Sequence, residues 1–351
     1  VGQGRGQAMR KAKAGRRSTI YDIAEAAGIS ASTVSLVMNG SWERYRIHAD
    51  TAGRVLKAAE AVGYNANQRA RGLRLQRSSL AGMIIPHYRN RFFAGLAETF
   101  EARARERGLC PIVVSTQRDD ATERQVTETL IAQAVECLIF AGVNRPDPLN
   151  QLCIDAGIAC VNLDLPGAAA PSVVTDNRGG STELTLRLID MVAERGGDPA
   201  QIQFVGGRRG EFATDERMIG FEAAFAARQV AFHPESILPC GYQPSAAQEV
   251  FARLADHAPP GIFVNSITAL EGLARLVAAG RWPASTVLGC FDWDPFAYAM
   301  PLPVIMMRQD VEELIRHCFA VFDGPGVPPG SRIVVPPRDA AAHRPPGAEL
   351  A

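Results

Sequence analysis

Residues 65–78, NANQRARGLRLQRS, are the stretch whose residue types most directly suit a chemistry. Arg69, Arg71, Arg74 and Arg77 suit ionic contact with phosphates, and Leu73 and Leu75 stand among them as isolated apolar residues. The segment is too short for a stable solitary helix. It fits a hinge helix that orders on DNA, where paired copies enter the minor groove, Leu73 wedges at a base step and the arginines sit on phosphates. A solvated basic linker is the alternative. Enzyme chemistry finds less support. No GxSxG elbow, P-loop, HExxH or strand-linked GxGxxG occurs, and the six histidines lie far apart without metal-ligand spacing. Gly206–Gly210, GGRRG, follows a candidate strand, but its spacing fits a cleft loop better than a dinucleotide site. The sequence predicts no enzyme, no cofactor and no metal.

A hinge needs a head to position. Ile20–Gly40, IYDIAEAAGISASTVSLVMNG, reads as two short helices around a tight turn. Thr19 with Asp22 forms a capping-box pattern, Ile23, Ala24 and Ala27 share one face, and Gly28 suits the left-handed stop. Ser30 caps the second helix, Val34, Val37 and Met38 face inward, and Ala31, Ser32, Ser35 and Leu36 point outward or lie at its start. This is either a helix-turn-helix unit or an ordinary αα-corner. A third helix is expected from about His48–Asp50 to Val62, with Val55, Leu56, Ala59 and Val62 on one face, Gly63 ending it and Tyr64 closing the core.

Charge separates the two readings. The 351 residues carry 37 basic and 37 acidic side chains, but residues 1–78 hold 14 basic against 5 acidic. A basic N-terminal piece on an acidic body is the footprint of nucleic-acid binding by one end. A basic tail on some other domain is the alternative. Length suggests two or three domains, and 47% hydrophobic residues suffice for a core. No run reaches the roughly 18 apolar residues of a membrane span. The basic, polar start reads as no signal peptide, and seven cysteines without CxxC pairs read as reduced thiols of a cytoplasmic protein.

From residue 79, apolar runs alternate with helical stretches. Strands are expected at Leu80–Ile85, Pro111–Val114, Cys137–Phe140, Ala159–Leu163, Gln201–Val205, Gly261–Val264, Val287–Phe291 and Val304–Met307, with Arg332–Val335 as an edge strand. Helices are expected at Phe92–Arg107, Thr122–Gln133, Gly180–Glu194, Asp215–Ala227, Ser245–Asp256, Ile267–Ala279 and Val311–Phe322. The alternation implies parallel sheets covered by helices, and its length implies two α/β lobes. The expected order is a disordered basic tail over 1–17, a helix-turn-helix domain over 18–64, a hinge over 65–78, a two-lobed body over 79–338 and a disordered tail over 339–351.

YDIAEAAGISASTVSLVMNG, followed by a helix ending in GYNANQRARGL, resembles the N-terminal region of the LacI/GalR transcription regulators. The resemblance covers roughly residues 18–338. ERYRI and RGLRLQRSSLAGMIIP look most like the fructose/sucrose-repressor branch. The resemblance implies a multidomain fold, an all-α helix-turn-helix head plus a two-lobed α/β effector domain like that of periplasmic sugar-binding proteins. It implies a repressor that binds a double-stranded DNA operator as a homodimer, with a tetramer as the alternative, and has no membrane role. A sugar-binding receptor without DNA is the rival class, opposed by the basic head.

On the same resemblance, Tyr21 matches a backbone-contacting position, Ala31, Ser32 and Leu36 the base-reading positions, and Thr33 and Ser35 phosphate-contacting ones. Ser30, Asn39, Asn67, Arg71 and the lever Leu73 belong to the same DNA-binding set. The base-reading trio is small or apolar, so bidentate readout is absent there and thymine-methyl contacts, Arg44, Arg46 or the hinge must compensate. Arg217, Asp292, Asn265 and Gln309, with Asp164 a weaker match, correspond to the effector-binding pattern, although a strand-end Asp or Asn is often only a cap. Ser266 and Trp293 depart from positions where acids are common. His87, Arg89 and Arg91 replace small polar residues, which suits a sugar phosphate unless they are solvated loop charges. The implied effector is a small carbohydrate or sugar phosphate.

Overall fold

The computed structural model describes residues 18–64, 78–324 and 326–340. The chain divides into two compact units, the second beginning at Ser78. The expected tail over 1–17 and the hinge, with Asn67, Arg71 and Leu73, lie outside the described residues.

In the first unit, helix α1 spans Ile20–Ala27, α2 Ala31–Met38 and α3 Ala49–Ala61. The first start is fixed by a reciprocal capping box. The Thr19 backbone N–H donates to Asp22 at 2.6 Å, and the Asp22 N–H donates to the Thr19 hydroxyl at 3.4 Å. Gly28 ends α1 at φ 65°, a conformation a side chain would strain. Arg54 of α3 donates to the Ala27 carbonyl at 2.7 Å, satisfying an end carbonyl of α1. Ile23, Ala27, Val34, Val37, Ala52, Val55 and Ala59 form the core, with Tyr64 packed against it. Leu56 is a correction: it is 53% exposed, and Ala52 takes the inward place. The buried stripe of α3 runs 52-55-59, and residue 56 falls outside its edge, about 40° beyond Ala52 and about 100° from Val55.

The second unit holds two sheets. Strands β1 (Leu80–Ile85), β2 (Cys110–Ser115), β3 (Cys137–Ala141), β4 (Ala159–Leu163), β5 (Ser172–Thr175) and β11 (Arg332–Val335) form the first, wholly parallel, in the order β11-β5-β4-β3-β1-β2. Helices α4 (Arg91–Glu106) and α11 (Val311–Asp323) cover one face. Helices α5 (Asp120–Ala132) and α6 (Asp147–Asp155) cover the other. The second sheet contains β6 (Gln203–Val205), β7 (Ile237–Leu238), β8 (Gly261–Val264), β9 (Val287–Phe291), β10 (Val304–Arg308) and β12 (Arg338–Asp339), in the order β12-β10-β9-β8-β6-β7. Only β12 runs antiparallel, beside β10. Helices α7 (Asn177–Glu194) and α8 (Phe212–Arg228) pack on one side, and α9 (Pro244–Leu254) and α10 (Ile267–Ala278) on the other.

Both sheets are covered on both faces, so their inner strands read as unbroken apolar runs, VLGCF and CLIFA among them. Strands β5 and β7 and helix α6 escape the sequence reading because they are short or lack a clean apolar period. The described chain also passes the expected end at 338: Asp339 lies in β12 and Ala340 is fully buried. Among the described residues the chain crosses between the lobes three times, after β5, after β10 and between β11 and β12. All seven cysteines are free thiols, five of them buried. Among the described residues, no helix is long and apolar enough to cross a membrane.

Candidate functional site

On the head, Tyr21 stands 76% exposed in the first turn of α1. Residues 31, 32, 35, 36 and 39 recur at helical spacing on the face of α2 turned from buried Val34 and Val37. Ser30 is occupied as a cap, accepting from the Thr33 N–H at 3.2 Å, and its hydroxyl also meets those of Ser32 at 3.0 Å and Thr33 at 2.9 Å. The Asn39 carboxamide donates to Ser35 at 3.4 Å. Arg44 and Arg46 are exposed in the turn that follows. This face offers short hydroxyls and the apolar Ala31 and Leu36, a surface suited to close approach and apolar contact rather than to bidentate pairing with base edges.

In the second unit, a cleft of about 610 Å³ opens between the lobes. Its polar lining comes from segments just beyond the carboxyl ends of β1, β2, β3, β4, β6, β7, β8, β9 and β10. Parallel strands all pointing at the cleft place their loops there, which is where open α/β sheets bind ligands.

Arg217 is the buried centre of this cleft. Its Nε donates to Asn177 Oδ1 at 2.8 Å, its Nη1 donates to the Asn265 carbonyl at 2.6 Å, and its guanidinium lies 3.9 Å from the Phe291 ring centroid. These contacts fix the plane of the guanidinium. Helix α8 sits close to α7 because position 220 is glycine; a Cβ there would strike the Arg178 carbonyl. Asp164 and Asp292 follow β4 and β9 with φ 74° and 103°, a left-handed backbone at both strand ends. Gln309 donates to Asp292 Oδ1 at 2.6 Å and accepts from the Thr175 hydroxyl at 2.6 Å. Burial pushes the Asp164 carboxyl up to about 7; Arg217 and Arg118 pull it down, while Glu211 and Asp292 add to the rise. Burial likewise raises Asp292, against Arg217 and the Gln309 hydrogen bond.

Arg217, Asp292, Gln309 and Asp164 therefore share one cavity. Asn265 stands apart from its lining: it is fully buried, its carbonyl serves Arg217, and neighbouring Ser266 reaches the cavity instead. Sequence reasoning missed Arg118, Glu211 and Tyr242. Arg118 Nη1 donates to Glu211 Oε1 at 2.9 Å and to Asn144 Oδ1 at 3.3 Å, with the Tyr242 ring centroid 5.2 Å away. The Tyr242 hydroxyl, 2.8 Å from Thr214 Oγ1, is pushed up to about 12 by burial first and by Glu211. The one signal was the cleft-loop reading of GGRRG, which ends at the residue before Glu211. Arg91 spans the lobes too, 3.3 Å from Asp294 Oδ2, with Trp293 beneath it at 5.9 Å.

Two family descriptions match the chain, "Bacterial regulatory proteins, lacI family" over residues 19–67 and "Periplasmic binding protein domain" over residues 81–300. The ribitol operon repressor of Klebsiella aerogenes is 44% identical over 194 residues, 55% of this chain and 72% of that protein. The sucrose operon repressor of Klebsiella pneumoniae is 30% identical over 310 residues, 87% of this chain and 91% of that protein. Among solved structures, the lac repressor dimer bound to operator and the anti-inducer ONPF superposes with a TM-score of 0.75 at 18% identity, covering 92% of this chain and 98% of that one. At that identity the likeness is one of fold.

Proposed function

This chain belongs to the lacI family of bacterial regulatory proteins, and on that premise we propose a cytoplasmic, homodimeric repressor whose cleft takes an uncharged polyhydroxylated effector. The family is one of DNA-binding transcription regulators, so the head and the segment over 65–78 are assigned to a double-stranded operator. Two heads related by a twofold axis match a pseudo-palindromic site. Tyr21, the outward face of α2, Arg44 and Arg46 are the head's contacts in this reading, and Asn67, Arg71 and Leu73 those of the hinge.

The effector reading rests on one observation: Arg217, Asp164 and Asp292 line the same cleft. A buried guanidinium beside two carboxyls offers donors and acceptors together, which suits alcohols on successive carbons. Gln309 supports Asp292 there, and Asn265 supports Arg217 through its backbone. The two Klebsiella relatives are named for ribitol and sucrose operons, both compounds without charge. A sugar phosphate, suggested by His87, Arg89 and Arg91, is the weaker reading because Arg91 and Arg118 already face acids. A ligand that binds one arrangement of the lobes more tightly shifts the population towards it, and the crossing segments carry that change.

A thermal-shift screen with ribitol, other pentitols, neutral sugars and their phosphates, followed by mobility shift on the upstream DNA, tests this. Stabilisation by a neutral polyol and a matching change in operator binding are expected. Stabilisation by phosphates alone contradicts the effector reading, and tight sugar binding with no operator shift contradicts the repressor reading.

A further inference from the structure

Arg118 belongs to the first lobe, in the turn after β2, and Glu211 to the second, immediately before α8. Their side chains meet across the cleft at 2.9 Å and are only 19% and 9% exposed, so solvent screens the pair little. Arg91 and Asp294, another pair that joins the two lobes, are 45% and 20% exposed. Glu211 occupies the N-cap position of α8, where the helix dipole favours a carboxylate, yet its side chain makes no capping bond. Its carboxylate is spent on Arg118. The loop that presents it is held: Gly206, Gly207 and Gly210 have φ of 108°, 75° and 82°, and the Gly210 N–H donates to the Asp215 carboxylate at 3.0 and 3.1 Å. A side chain at 207 would meet Thr214 and Asn265.

We infer that Glu211 sets the charge specificity of the cleft, by neutralising Arg118 and so excluding phosphorylated or carboxylated compounds in favour of uncharged ones. An arginine fork in a sheltered cleft is the side chain that most readily captures a phosphate or carboxylate. Here an arriving anion would have to displace Glu211 from Arg118, which leaves a sheltered carboxylate without its cation and beside the newcomer's own charge. An alcohol has no such conflict, since a hydroxyl donates to a carboxylate oxygen and accepts from a guanidinium N–H without breaking the pair. Asn144 and the Tyr242 ring hold Arg118 in place from either lobe. The inference rests on the reading of this cleft as the effector site.

The test uses full-length wild type, Glu211→Gln and the double variant Arg118→Ala/Glu211→Gln, with inorganic phosphate and ribitol as probes. Thermal shift and calorimetric titration read the binding. Wild type should ignore millimolar phosphate. Glu211→Gln, which keeps the shape and removes the charge, should bind phosphate on the order of tenfold more tightly or better. The double variant should lose that gain. A Glu211→Gln protein no more responsive to phosphate than wild type, or a gain that survives without Arg118, overturns the inference. If Glu211→Gln does not fold, the comparison of ribitol with ribitol 5-phosphate on wild type decides, and equal or tighter binding of the phosphate overturns it. The phosphate result does not depend on any polyol. Failure of every neutral compound on wild type removes the effector reading, while the anion gain of Glu211→Gln still decides the role of Glu211.

Discussion

Gln309 and Asp292 are joined by a 2.6 Å hydrogen bond that ties the crossover after β10 to the end of β9. The other end of the same carboxamide accepts from Thr175, the last residue of β5 in the opposite lobe. One side chain thus links a cleft carboxyl to two of the crossings between the lobes. Gln309→Leu keeps the approximate volume and removes both bonds. It is expected to destabilise the second unit by about 1–3 kcal/mol, because buried Thr175 and Asp292 lose their partner. Urea unfolding of the two proteins measures it, and equal midpoints with equal slopes would disprove the role.

Asp164 makes stability depend on pH in a defined direction. Burial raises its folded value to about 7 from an ordinary 3.8, so the folded protein holds this proton where the unfolded chain has released it. Its contribution is complete below the unfolded value, shrinks as pH rises and is gone once pH passes about 7. Wild-type stability should therefore fall relative to Asp164→Asn between about pH 4 and about pH 7 and run parallel to it above. Denaturant titrations of both proteins across that range check the sign. A wild type that gains on the variant with rising pH would refute it.

Arg217→Ala removes the donor to Asn177 and the Asn265 carbonyl and takes the cation from beside Asp164 and Asp292. The second unit should lose roughly 3 kcal/mol. Operator binding at saturating protein should persist, while the effector should no longer alter it. Mobility shift with and without the effector reads both, and a normal effector response in the variant would take Arg217 out of the site.

Thr19→Ala abolishes the capping box of α1. The expected cost is about 1 kcal/mol, equivalent to roughly fivefold faster hydrogen exchange of the α1 amides in the full chain. Unchanged exchange there would show that α1 is held by its packing alone.

The capping box, the Gly28 stop and the buried stripe of α1 were legible in the sequence because each is fixed within a few residues along the chain. The α/β alternation was legible for a related reason: strands buried on both faces must be apolar throughout, whatever they pack against. The position of Leu56 was not, since two stripes one residue apart both look apolar in α3 until the partner helices choose between them. The cleft divides in the same way. Arg217, Asp292 and Gln309 were named through a family resemblance, but their bonding pattern was not. Arg118 and Glu211 were missed altogether, because 93 residues separate them and nothing in either segment announces the other. Interactions within a few residues along the chain set the local elements and the kind of groups available to a ligand. Which of those groups meet was decided only by the packing of two lobes whose parallel strands aim their loops at one cleft, where burial and a neighbouring charge then set what each group can bind.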